Sequence, residues 1–153
     1  QVGVEQVELK ELMRRADFIS VHCPLNEETR DLIGQRELEL MKPGAYLVNT
    51  ARGGIINEEA LYEVLANKRI AGAAIDCFEG EPLVEPHRFG DFDNVLLAPH
   101  SIAWTEELFR DIGAAAIRGV AELAVGRMPL GVVNRTVLDQ PGFREKWKRL
   151  QVA

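Results

Sequence analysis

The sequence predicts an α/β fold built on a mostly parallel sheet, and three observations predict it. Four short apolar runs are rich in branched residues, helical patterns lie between them, and turn signals separate the two kinds of segment. The 153 residues are 46% hydrophobic and 27% charged, the proportions of a globular chain. A chain of this length buries roughly 70% of its unfolded surface on folding. Such values exclude intrinsic disorder and collagen-like repeats.

The runs Phe18–His22, Ala45–Asn49, Ile70–Asp76 and Asn94–Ala98 read as buried strands. None alternates cleanly between apolar and polar residues, which predicts a sheet covered on both faces. Glu8–Ala16 places Leu9, Leu12, Met13 and Ala16 on one helical stripe. Glu58–Lys68 places Leu61, Val64 and Leu65 on another, with Asn57 as N-cap and Glu58 and Glu59 in the first turn. Lys42-Pro43-Gly44 is a turn ahead of the second run. Strands alternating with helices imply βαβ units with right-handed crossovers. Beyond Pro99 the pattern changes. Thr105 caps a long helix in which Leu108, Ile112, Ala115, Val120 and Leu123 recur up to Gly126. Met128-Pro129-Leu130-Gly131, an extended Val132-Val133-Asn134 and an amphipathic tail from Phe143 to Leu150 follow. The composition shift divides the chain into 1–103 and 104–153, with no internal repeat or low-complexity segment.

Charge narrows the function classes. Eighteen Lys and Arg against 24 Asp and Glu give a net charge of −6, with no basic cluster to attract nucleic acid or an anionic membrane. Arg144–Arg149, interrupted by Glu145 and Trp147, reads as a solvated helix face. The longest apolar stretches, such as Ala71–Ile75 and Gly113–Ile117, fall far short of the roughly 18 residues that span a membrane. Cys23 and Cys77 form no C-x-x-C pair; two lone thiols fit a reducing cytoplasm and predict neither a disulfide framework nor a metal site. No signal peptide is expected, because residues 1–20 lack an apolar centre. The chain starts at Gln1 rather than Met, and Val2–Leu12 reads like the interior of a domain.

The polar residues gather at strand ends. The first run ends in His22-Cys23-Pro24, the second in Asn49-Thr50-Ala51-Arg52-Gly53-Gly54, the third in Asp76 and the fourth in Pro99-His100. Ligands of open α/β sheets bind outside the carboxyl ends of the strands. Four such endings point to a ligand site, with Gly53 and Gly54 allowing close backbone approach. Taken singly, Arg52 is a surface arginine beside a turn, Asp76 a helix cap, Glu81 a solvated loop carboxylate and His100 a loop histidine. Taken together, Arg52 offers a planar fork for a carboxylate. Asp76 then accepts from an amide or ribose, and His100 serves as general acid and base with Glu81 holding its ring. His22 and His87 read as structural, and Trp104 as a packing or pocket-wall residue.

Four blocks carry a family resemblance: Ala16–Leu25, Met41–Gly54, Gly72–Pro82 and Asn94–His100. In this order, and spanning residues 16–104, they resemble the D-isomer-specific 2-hydroxyacid dehydrogenases. The resemblance implies a Rossmann-like parallel sheet with flanking helices, a partial dinucleotide-binding domain, followed by a C-terminal crossover helix and tail. It implies an oxidoreductase passing hydride between NAD(P)H and C2 of a D-2-hydroxy or 2-oxo acid. Arg52 would bind the substrate carboxylate and 2-oxygen, His100 would move the proton, and Glu81 would orient His100. Cys23, Thr50, Ala51, Arg52, Asp76, His100, Ser101, Ile102 and Ala103 would line the nicotinamide side of the cofactor, NAD, with NADP not excluded. Glu81 stands where the formate dehydrogenase branch carries Gln.

The sequence departs from the family in two ways. The glycine-rich phosphate loop and the ribose-reading acid are not found before residue 16, where the only glycine is Gly3. The chain therefore reads as the C-terminal half of such an enzyme, inactive by itself, weak in NAD binding and prone to self-association. Trp104 falls four residues after His100, where many members place a tryptophan three after. The expected partners are a small 2-hydroxy or 2-oxo acid and, in the full-length protein, a second copy. The alternative is an NAD(H)-sensing protein-binding module of the transcriptional C-terminal-binding protein type, told apart by tight NADH binding without turnover.

Overall fold

The structure, a computed structural model, describes residues 3–151. The chain divides into two compact units, Gln1–Ile102 and Ala103–Ala153. In the first, β1 (Phe18–Val21), β2 (Tyr46–Asn49), β3 (Gly72–Ile75) and β4 (Val95–Leu97) form one sheet in the order β1-β2-β3-β4. Every neighbouring pair is parallel, with Phe18 opposite Tyr46, Tyr46 opposite Gly72 and Ala73 opposite Val95. All four carboxyl ends therefore lie along one edge. The connections carry α1 (Leu9–Arg15, before β1), α2 (Gln35–Leu38) and α3 (Glu58–Ala66).

Local chemistry sets these boundaries. Asn57 caps α3 through its side chain, which accepts from the Ala60 amide at 2.9 Å, and Glu58 and Glu59 favour the positive helix start. Lys68, at φ 52°, closes the following turn. The apolar stripe of α3 (Ala60, Leu61, Val64, Leu65) is buried with Met13, Leu38, Ile19, Val21, Leu47, Ala73 and Ile75 in a single core. Full burial of one such leucine is worth about 1.5–3 kcal/mol. Each strand is shorter than its apolar run. The extra residues stay in register: the Ala71 amide bonds to the Ala45 carbonyl, and the Ala98 amide to that of Ile75.

Among the described residues of this unit, the expected cover on both faces of the sheet is found on one face. The core face carries Ile19, Val21, Leu47 and Ile75, whereas on the other Phe18 is 74% exposed and Leu96 76%. Phe18 and Tyr46 stack there across β1 and β2, with ring centroids 5.5 Å apart. The strand residues are apolar on both faces, so composition reads as double burial, but the helices of this unit join only the core face. The four-residue α2 and the 3-10 turn Arg88–Asp91 lack a periodic signal long enough to be read in sequence.

In the second unit Thr105 caps α4 (Glu106–Ala124), its hydroxyl accepting from the Leu108 amide at 3.2 Å. No residue of α4 is buried, and Phe109, Ile112, Ile117 and Val120 are exposed. Val132-Val133-Asn134, expected to be extended, joins no strand and leads into a 3-10 turn at Arg135–Asp139. In α5 (Pro141–Gln151) Phe143 stacks on Trp147. No described helix is long and apolar enough to cross a membrane.

Candidate active site

The site is assembled from the four strand ends. After β2 the chain turns sharply, and the turn is built by Asn49, which is only 3% exposed. Its side chain donates to the Arg52 carbonyl at 2.9 Å and accepts from the Ala51 amide at 3.1 Å. Arg52 is thus thrown outward on a fixed backbone. Its guanidinium donates to the Ala51 carbonyl at 2.5 Å and remains exposed. Gly53 lies so close to the loop after β3 that a Cβ there would overlap the Phe78 carbonyl. The close approach inferred from Gly53-Gly54 is therefore realised at Gly53. Gly54 is needed for a different reason, since it sits at φ 81°.

The loop after β3 supplies Glu81. One carboxylate oxygen accepts from the Phe78 amide at 2.6 Å, and the other lies 2.6 Å from His100 Nδ1. Burial opposes ionisation of Glu81. The hydrogen bonds from His100 and the Phe78 amide, with the nearby charges of His100 and Arg52, outweigh it and hold the carboxyl below its usual range. An ionised Glu81 can only accept, so His100 Nδ1 donates to it and Nε2 is the nitrogen left for other chemistry.

His100 sits after β4 at φ 54°, a left-handed conformation uncommon outside glycine and costing about 1–3 kcal/mol. Asp76 stabilises that turn. It is 3% exposed, and its two oxygens accept from the Ser101 amide at 2.9 Å and the Ile102 amide at 3.3 Å. Each oxygen keeps a further lone pair.

Two clefts open along this edge. One, of about 690 Å³, is lined by His22, Cys23, Pro24, Leu25, Thr50, Ala51 and Arg52. The other, of about 510 Å³, is lined by Phe78, Glu81, Pro82, Leu83, Pro99 and His100. The geometry thus brings together Cys23, Thr50, Ala51 and Arg52 in one cleft and Glu81 and His100 in the other, with Asp76 joined to Ser101 and Ile102. Ala103 falls in the second unit. Among the described residues no cluster of His, Cys, Asp and Glu could hold a metal ion.

Both histidines left without a partner in the sequence have one. His22 Nε2 lies 2.8 Å from the Ser20 hydroxyl, and His87 Nε2 lies 3.1 Å from Glu58. The two cysteines differ in kind. Cys77 is buried, and burial, followed by the charges of Asp76 and Glu81, pushes its thiol up to about 11 against the opposing Arg52. Cys23 is half-buried in the larger cleft. Because the thiolate is the reactive form, iodoacetamide at neutral pH should label Cys23 and leave Cys77 unmodified in the folded protein. Peptide mass analysis checks this, and modification of Cys77 at the rate of Cys23 would contradict it.

A parallel α/β sheet that presents an arginine, a buried aspartate and a Glu–His pair along its carboxyl edge has the architecture of a nucleotide-cofactor domain. Residues 1–101 match the NAD-binding domain of the D-isomer specific 2-hydroxyacid dehydrogenases, and the chain belongs to that family. It is 44% identical over 145 residues to the glyoxylate reductase of Aeropyrum pernix, a match covering 94% of this chain and 43% of that protein. It is 41% identical over 140 residues to the D-3-phosphoglycerate dehydrogenase of Methanocaldococcus jannaschii, covering 91% of this chain and 26% of the relative. The D-lactate dehydrogenase of Lactobacillus jensenii, solved with NAD+, superposes with a TM-score of 0.78 at 29% identity, covering 84% of this chain and 43% of that one. The chain thus spans less than half the length of these relatives. NAD is the cofactor of the matched family domain. The chemistry here fits its nicotinamide end: the cleft beside Thr50 and Ala51 adjoins Arg52, and Asp76 is a buried acceptor for an amide donor.

Proposed function

We propose that the protein carrying this chain is an NAD-dependent oxidoreductase that reduces a small 2-oxo acid to the 2-hydroxy acid, of D configuration where C2 becomes a stereocentre, with glyoxylate, whose product is achiral, the first substrate to try. The observation that carries the reading is the 2.6 Å contact between Glu81 and His100 Nδ1. It fixes the ring, leaves Nε2 as a proton donor, and lies within the electrostatic reach of Arg52. The family relationship and the glyoxylate reductase relatives support the choice of reaction.

When bound, the reduced nicotinamide supplies a hydride for C2 of the oxo acid. Arg52 binds the substrate carboxylate with its planar fork and polarises the C2 carbonyl, fixing the attack geometry. His100 Nε2 delivers a proton to the 2-oxygen as it becomes a hydroxyl. Glu81 balances the charge on the ring and holds its orientation. Asp76, which keeps the backbone turn at His100 in place, would accept from the carboxamide of the cofactor. Cys23, Thr50 and Ala51, with Ser101 and Ile102, would wall the nicotinamide. The hydride on C2 and the proton on the 2-oxygen account for the two hydrogens added to the carbonyl.

The test is NADH oxidation by the intact protein with glyoxylate, hydroxypyruvate and pyruvate, in the natural form and as Arg52→Gln. A charged hydrogen-bond partner is worth about 1.5–3 kcal/mol, and its loss together with carbonyl polarisation lowers kcat/KM by about 10²–10³-fold. Unchanged kcat/KM in Arg52→Gln would overturn the assignment. Failure of all three acids to oxidise NADH would overturn the substrate class.

A further inference from the structure

We infer that Glu58 and His87 are positioning residues for the acid–base pair; the inference rests on the reading of Glu81 and His100 given above. Two carboxylates grip adjacent amides of one loop from different directions. Glu81 accepts from the Phe78 amide at 2.6 Å, and Glu58, in the first turn of α3, accepts from the Glu79 amide at 2.6 Å. The second oxygen of Glu58 accepts from His87 Nε2 at 3.1 Å. His87 Nδ1 in turn accepts from the Phe89 amide at 3.3 Å, which leaves the proton of a neutral ring on Nε2, pointing at Glu58.

The arrangement is enclosed. The side chains of His87 and Glu58 are only 14% and 15% exposed. The His87 ring packs against both Phe78 and Phe89, with centroid separations of 4.9 and 4.6 Å, and Phe89 is fully buried. Hydrogen bonds therefore run from the 3-10 turn through His87, Glu58 and the Glu79 amide to the loop that carries Glu81, the partner of His100. Glu59 is the internal contrast. It sits one residue along α3, pairs with Arg88 at 2.6 Å, is 68% exposed, and bonds to neither the Phe78 nor the Glu79 amide.

The function follows from geometry. Glu81 is bonded to the amide of a residue three positions before it, so its carboxylate moves with the Phe78–Glu79 backbone. Releasing the Glu79 amide lets that backbone relax and lengthens the contact to His100. Small misplacements of an acid–base group cost far more in rate than in binding.

The test is Glu58→Ala in the intact protein, with Glu58→Gln as conservative variant and Glu59→Ala as control. Glu58→Ala should lower kcat about 10-fold or more and leave the KM for NADH within about twofold. Glu58→Gln, which can still accept from the Glu79 amide, should recover at least half of the loss on a logarithmic scale. Glu59→Ala should match the natural protein. The readout independent of turnover is the proton NMR signal of His100 Nδ1–H, expected well downfield in the natural protein and shifted or exchange-broadened in Glu58→Ala. A folded Glu58→Ala with unaltered kcat and an unaltered His100 signal would overturn the inference. A His100 signal that responds to Glu58 in a protein that reduces no 2-oxo acid would sustain the positioning role and overturn the proposed reaction instead.

Discussion

Replacing His100 with glutamine lowers kcat for 2-oxo acid reduction by about 10²–10⁴-fold, the range that general acid–base catalysis supplies. Glutamine can still donate an amide hydrogen to Glu81, so the 2.6 Å contact that orients His100 has a substitute, but no glutamine atom can release a proton near neutral pH. NADH binding should survive, because the His22–Leu25 and Thr50–Arg52 cleft is untouched. Steady-state kinetics with glyoxylate, alongside NADH fluorescence titration, separate the two, and a kcat within threefold of the natural protein would contradict the assignment. Glu81→Gln acts differently. Glu81 is held below its usual range, so the stability contributed by its ionised form is fully present above about pH 4.5 and disappears as pH falls through the depressed value. Melting curves of the natural protein should lose that increment on acidification, and those of Glu81→Gln should not.

The strands were legible because four apolar runs are separated by helical patterns of adequate length; α3 shows both an Asn57 cap and a four-residue buried stripe. What lay on each face was not legible. Phe18 and Leu96 look like core residues in sequence and are largely exposed here, since residue type reports a preference for burial and not the presence of a cover. Strand ends were informative because parallel topology turns four separate polar endings into one edge. The partners within the site were less so. Glu81 and His100 are 19 positions apart, and their pairing is legible from complementary chemistry and from the family resemblance, not from spacing. Glu58 and His87, 29 apart, show in sequence only as a first-turn acid and a structural histidine, because a contact between a helix start and a distant loop leaves no periodic trace. The left-handed backbone of His100 likewise had no signal, since glycine normally marks such a position and here Asp76 holds the turn instead. Asn49 was visible only as the end of a strand, although its amide shapes the turn that carries Arg52.

Gly53→Ala should damage the site more than any other single methyl addition along this edge. A Cβ at residue 53 would overlap the Phe78 carbonyl and come within 2.6 Å of the Glu79 nitrogen. Both neighbours are backbone, so no flexible side-chain end can swing aside. Overpacking of this kind costs about 1–3 kcal/mol and sometimes more. The loop that must yield is the one in which the Phe78 amide holds Glu81, and the turn that must yield is the one that carries Arg52. Both halves of the proposed chemistry are displaced at once, so a loss of about 10²-fold or more in kcat/KM is expected in the fraction that remains folded, consistent with a misplacement near 1 Å. Gly72→Ala provides the comparison. Its Cβ would overlap the Asn94 carbonyl at the amino end of β3, where the sheet carries no polar cluster, so it should lower the melting temperature without changing the kinetics of folded protein. Thermal melting with kinetics normalised to the folded fraction distinguishes them. Equal losses of stability with equal, small kinetic effects would show that contact between the Arg52 turn and the Glu81 loop is mere packing. A kinetic defect confined to Gly53→Ala would make that contact the joint that keeps carboxylate binding and proton transfer in register.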